Sequence, residues 1–178
     1  MFDFTNLDEK TRSYMLRAIE QAEHEEQINY SPRLNAQGKE QWLDLLEQAA
    51  RAHDEHWLAY ELEANRLIKG FEVSERPVGS YSVKHVPRTA ALTMAEGQFN
   101  RFYMLGLCGR ARDEGITHLE VYRAKQSARP RRESQALVGI RLPVEVVEPQ
   151  LRDDVASQKS LLIQPNSGIS LRIPDRKT

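Results

Sequence analysis

From Ala90 to Glu114 the chain runs without a proline, and the middle of that stretch, FYMLGLCG, is apolar around nearly the whole circumference of a helix. A helix of this kind cannot lie on a surface, so the rest of the chain has to be arranged around it. Leu92, Ala95, Phe99, Phe102, Tyr103, Gly106 and Leu107 fall on its apolar face, Thr89 stands where a cap belongs, and Gly115 stands just past its end. Gly97, Gly106 and Gly109 would each weaken a solitary helix by about 1 kcal/mol relative to alanine, which predicts close packing against another backbone.

The elements available to surround it are helical first and extended later. From Asn6 to Glu26, Leu7, Tyr14, Met15, Ala18, Ile19 and Ala22 recur at helical spacing, with Thr5 or Asn6 as cap. A connector, INYSPRLNAQG, follows, its Pro32, Asn35 and Gly38 being turn formers. Trp42, Leu45, Leu46 and Ala49 then make a second apolar stripe, and Trp57, Leu58 and Leu62 a third, with Asp54 as a cap between them. Phe71 with Val73 and Tyr81 with Val83 predict two short strands around the turn ERPVGS. THLEVYRAK, residues 117 to 125, predicts another, and Leu137 to Leu142 a further one. Pro143 can open a short helix that Pro149 limits or kinks, and LLIQ, PNSG and ISLRI predict a terminal hairpin. The expected fold is α+β: N-terminal amphipathic helices, then a mostly antiparallel sheet packed on one long central helix, ending in a β-hairpin. Residues 1–70 form an acidic helical region and residues 71–178 a basic α+β region, joined in one compact unit.

Charge divides along the same line. Residues 1 to 63 hold 14 acids against 6 bases, and residues 64 to 178 hold 12 against 19, giving −8 and +7 within a chain of net −1. Between Arg123 and Arg132 the sequence reads RAKQSARPRR, with five cations and no acid, and such a block needs an anionic ligand or an acidic protein surface. Arg123, Lys125, Arg129, Arg131 and Arg132 are the candidate contact residues, for protein or for nucleic acid, with Arg110 and Arg112 able to join them.

Other constellations point to no chemistry. His53 and His56 share a helical face at i and i+3, but a zinc site needs three or four ligands and no cysteine is near. Glu20, Glu23, His24, Glu25 and Glu26 lack the paired Glu-x-x-His elements of a di-iron bundle and read as a solvated face. Cys108, the single cysteine, lies among Leu105, Gly106 and Leu107, which predicts a buried, unreactive thiol and excludes an internal disulfide. GLCG has GxxG spelling but sits inside a helix, unlike a nucleic-acid-binding loop. There is no nucleophile elbow, phosphate loop or dinucleotide fingerprint, so no catalytic residue, metal or cofactor is expected. An enzyme acting on a phosphorylated or ADP-ribosyl substrate, with Arg123 as anion clamp and Glu133 as acid or base, has only proximity in its favour.

No signal-like segment opens the chain and no apolar run approaches the roughly 20 residues of a membrane span, so a cytoplasmic location is expected and no membrane partner. YSPRLNAQG, AEGQFNRFYMLGLCGRA, VYRAKQSARPRRESQALVG and PNSGISLRI resemble stretches of a group of uncharacterised bacterial and phage-borne proteins found among phage or prophage structural genes. The resemblance implies a virion component and carries no residue roles. The expectation is therefore a non-enzymatic structural or assembly protein of phage or prophage origin. It would work through contacts with other protein subunits, copies of itself among them, and could be incorporated in a virion. The alternative is a small nucleic-acid-binding protein using residues 123–132.

Overall fold

Three short polar side chains start the first three helices. Asp8 Oδ1 accepts the Thr11 N–H at 2.8 Å and opens α1 (Glu9–His24); Asn35 Oδ1 accepts the Gly38 N–H at 2.8 Å and opens α2 (Ala36–Ala52); Asp54 Oδ1 accepts the Trp57 N–H at 2.8 Å and opens α3 (Glu55–Ala64). The first helix thus begins later than the expected Thr5 or Asn6 cap. Those two residues are used otherwise: their N–H groups donate to Tyr122 Oη and Tyr103 Oη, and Asn6 Oδ1 accepts from the Ile173 N–H. Gly38, expected in the connector, is instead helical, because Asn35 caps ahead of it and its bare Cα lets the Leu67 carbonyl approach to 2.4 Å from where a Cβ would stand.

The computed structural model describes residues 1–75, 79–126, 130–153, 162 and 167–175. After α3 come β1 (Phe71–Glu75) and β2 (Tyr81–His85), paired antiparallel with Val73 opposite Val83, then the central helix α4 (Ala90–Asp113). β3 (His118–Arg123), α5 (Arg132–Leu137), β4 (Arg141–Pro143), α6 (Val144–Asp153) and β5 (Ile169–Arg172) follow. The second sheet is antiparallel in the order β4-β3-β5, with Leu119 opposite Leu142 and Val121 opposite Leu171. The architecture is α+β, with α4 packed against the sheet and against α1, α3 and α6.

As its composition demands, α4 is enclosed: Phe99, Phe102, Tyr103, Met104, Leu107 and Cys108 are all fully buried. The close approach to another backbone expected of its glycines occurs at Gly106, where a Cβ would lie 2.8 Å from Met15 Cγ and 2.9 Å from Met15 N; at Gly109 the neighbour is the Tyr14 side chain, at 3.2 Å, and not backbone. It does not occur at Gly97, which has nothing within 4 Å. A buried polar clamp ties the sheet to the helix: Asn100 Nδ2 donates to the Ile169 carbonyl at 3.0 Å and Ser170 Oγ donates to Asn100 Oδ1 at 2.6 Å. One apolar core runs from Met15 and Trp42 through Phe99 to Leu171, so the acidic helical region and the basic α+β region share it.

One expectation needs correcting. The strand expected over Leu137–Leu142 does not begin at Leu137: α5 ends there, Gly139 turns the chain at φ +86°, and β4 covers Arg141–Pro143, with Gly139 and Ile140 adding backbone hydrogen bonds to Val121 of β3. ISLRI is extended as expected and forms β5, which pairs with β3; its expected hairpin partner LLIQ lies, apart from Leu162, outside the described residues.

Candidate interaction surfaces

The basic block is divided by the fold. Arg123, at the end of β3, donates through Nη1 to the Ser167 carbonyl at 2.5 Å and through Nη2 to Ser134 Oγ at 3.5 Å. Lys125 is ion-paired with the buried carboxylate of Glu96, and the Phe2 ring lies 6.0 Å from its ammonium. These two cations therefore have partners inside the chain. Arg131 and Arg132 are exposed; the Arg131 carbonyl accepts from Ser134 Oγ at 3.0 Å, and Arg132 opens α5 rather than lying on a loop. Arg129 falls outside the described residues. Arg110 turns away toward α1, donating to both Asp8 oxygens at 2.7 and 2.9 Å and to Glu114 at 2.9 Å. Burial pushes the Asp8 carboxyl up, but the Thr11 N–H and the Arg110 guanidinium more than offset this and hold it below its ordinary range.

Cys108 and the two histidines have structural surroundings. Burial pushes the Cys108 thiol up to about 12, so it carries no thiolate at neutral pH. His53 stacks on Trp57 with ring centroids 4.2 Å apart, and His56 Nε2 lies 3.7 Å from Glu55 Oε1. Among the described residues no three His, Cys, Asp or Glu side chains are grouped to hold a metal ion.

A cleft of about 1100 Å³ opens between the α4–β3 turn and α6, over Ile116 and Val144. Glu148 Oε1 accepts from Arg112 Nη2 at 3.1 Å and from Arg152 Nη2 and Nε at 2.9 and 3.2 Å, so these three charges at its wall satisfy one another. Among the described residues Gln27 Oε1 and Arg152 Nη1 have no hydrogen-bond partner, but both are inaccessible to water and hence to a ligand in the cleft.

The surface that stands out is the β1–β2 hairpin. Phe71 and Val73 on β1 and Tyr81 and Val83 on β2 share one face by alternation and register, and all four are 55–71% exposed. The Phe71 ring also meets the His85 imidazole at 4.4 Å. The opposite face is the polar one: Ser82 on it is buried and Glu72 is gripped by Arg33 Nε at 2.9 Å, while Ser74 and Lys84 are exposed. Among the described residues no helix or other strand packs on the hairpin beyond marginal contact, so among them it stands as an arm with its apolar side uncovered.

Sequence reasoning found these strands but not this face. Alternation shows that a strand has two unlike sides; it does not show which one meets the body. Among the described residues, no helix is long and apolar enough to cross a membrane. No protein-family model, curated protein or solved structure matches the chain, so what its surfaces can do rests on their own geometry.

Proposed function

We propose that this chain is a non-enzymatic structural or assembly protein, of phage or prophage origin, that docks onto other protein subunits through the β1–β2 arm. The projecting arm carries the reading: four large apolar side chains face outward from a two-stranded sheet. Such a sheet is marginal in water by itself, and the largest exposed apolar patch of a monomer, about 300–600 Å², is often a functional surface. The anchors are aromatic at each end, Phe71 and Tyr81, the residue types that dominate interface energetics. The phage origin rests on the sequence resemblance.

The nucleic-acid alternative draws on the basic block, where Arg123 and Lys125 already have internal partners and Arg131 and Arg132 are exposed. The docking reading is tested by complementation in a phage or prophage lacking the gene. Val73→Asp with Val83→Asp is expected to leave the protein folded and soluble but to abolish particle assembly. Normal particles would sink the reading. Purified protein with the 260-to-280 nm absorbance ratio of copurified nucleic acid, and a steep loss of that nucleic acid with salt, would favour the alternative instead.

A further inference from the structure

Residues 1–6 form a strap over α3, α4 and the end of β3, with Phe2, Phe4 and Asn6 half-buried and Met1, Asp3 and Thr5 exposed. Its later half is firmly seated. The Phe4 ring lies against Phe99 and Tyr103 of α4, with centroids 5.2 and 4.7 Å away, and the Thr5 and Asn6 N–H groups donate to the Tyr122 and Tyr103 hydroxyls. The earlier half is held more lightly. Among the described residues Asp3 is bonded through its backbone, its N–H donating to the Ala124 carbonyl at 2.7 Å and its carbonyl accepting from Tyr122 Oη at 2.5 Å. The Phe2 N–H donates to Glu55 Oε1 at 2.8 Å, and the Phe2 ring stacks on Phe4 and lies 6.0 Å from the Lys125 ammonium.

Glu55 is a poor place to keep a charge. It is buried beneath the strap, its Oε2 has no hydrogen-bond partner among the described residues, and no lysine or arginine among them pairs with it. On α3, Asp54 opposes its ionisation, and His56, with Nε2 3.7 Å from Oε1, favours it only when protonated. From the end of α2, His53 is stacked on Trp57. From α1, the Arg12 guanidinium feels Asp54 but is bonded to the Ala49 and Ala50 carbonyls. Beyond the Phe2 ring, Lys125 is paired with Glu96 of α4, and on the strap the Met1 amino group and Asp3 belong to exposed residues. An ionised Glu55 is therefore a buried charge without a cation, destabilising until water reaches it. Burial raises its pKa accordingly.

We infer that residues 1–3 are a latch hinged at Phe4, closed over a neutral Glu55 and released from the body when Glu55 ionises. The latch does not depend on the docking role of the β1–β2 arm. Its sign follows from linkage, since opening lets Glu55 return to its ordinary pKa and so favours loss of one proton. The opening equilibrium is flat below about pH 4.3, rises by at most about tenfold per pH unit above that, and levels off beyond the raised value of the closed state. Opening frees Phe2, removes the donor from the Ala124 carbonyl and lifts the ring from Lys125. A seam sealed in acid thus becomes accessible as pH rises.

A nitroxide attached at Asp3→Cys reads the latch, because that side chain is exposed and Cys108 is fully buried and escapes labelling. Electron paramagnetic resonance of the full chain from pH 4 to 9 should show the mobile fraction of the label rising and then levelling off, with the helix signal in circular dichroism unchanged. In the Glu55→Gln background, which keeps an oxygen for the Phe2 N–H, the mobile fraction should stay at its acid level throughout. A mobile fraction indifferent to pH overturns the latch. An equal rise in Glu55→Gln does so too, assigning the titration to another group such as His56. A second measurement holds whether or not that variant folds: the carboxyl carbon shift of Glu55, followed by NMR in the parent, should titrate over the same pH range as the label. Titration over a different range overturns Glu55 as the trigger.

Discussion

Glu55 is 1% exposed, at the first position of α3, and its Oε1 accepts the Phe2 N–H at 2.8 Å while its Oε2 has no hydrogen-bond partner among the described residues. Burial raises its pKa above the ordinary carboxylate range, and the Phe2 N–H opposes this only in part. A group whose folded pKa is raised contributes stability that is fully present below the unfolded value, about 4.3, and lost as pH rises through the folded value. Glu55→Gln removes the charge and keeps an oxygen for the Phe2 N–H. The variant should match the parent in thermal midpoint near pH 4 and exceed it at pH 8. An unchanged or lower midpoint at pH 8 would overturn the account. Nothing in the sequence marks Glu55, which reads as one more acid in a helix first turn; its burial comes from the N-terminal strap, a contact across 53 residues. The same holds for Arg123 and Lys125. Their charge was legible, but their commitment to Ser167 and Glu96 depends on pairings that residue spacing does not encode.

At the scale of the elements, α4 was the most legible because its signal is local: continuous helix formers, a glycine after the end, and apolar residues on every side of its middle. Its glycines separate two physical roles that look alike in sequence. At Gly106 an added methyl would meet Met15 at 2.8–2.9 Å, partly at backbone, so α1 must shift; overpacking of this kind costs about 1–3 kcal/mol, more than the ~1 kcal/mol that alanine gains in helix propensity. At Gly97 nothing lies within 4 Å and only the propensity gain remains. Chemical denaturation should therefore show Gly106→Ala destabilised and Gly97→Ala stabilised by about 0.5–1 kcal/mol. Shifts of the same sign would contradict the packing account. The sheet was less legible. β3 follows from alternation, but the pairing of β5 with β3 joins segments whose nearest residues are about 45 positions apart, and β4 is only three residues long. The arm was legible as two strands, yet its outward apolar face is set by the Arg33–Glu72 pair and buried Ser82, neither of which alternation reveals.

The whole molecule is where the charge division of the sequence loses its most obvious reading. An acidic third and a basic remainder suggest two bodies, yet α1 and α3 both pack on α4, and Asp8–Arg110 and Lys10–Glu114 neutralise charge across that contact. The core passes without interruption from Trp42 and Met15 to Cys108 and Leu171. If α1 and α3 came away, α4 would expose the surface they cover, the Gly106–Met15 contact included, so the two regions are expected to unfold together. The chain carries two convenient reporters of this coupling. Both tryptophans, Trp42 and Trp57, lie in the acidic region, and the single thiol, Cys108, lies in the basic one, fully buried with its ionisation suppressed. In a urea titration at fixed protein concentration, tryptophan emission follows the helical region and the rate of Cys108 modification follows α4. The two transitions should share one midpoint and one slope, as a single cooperative unit requires. A tryptophan transition complete while Cys108 is still protected would mean that the basic region holds its fold alone, and the shared core would then be a docking surface between two bodies.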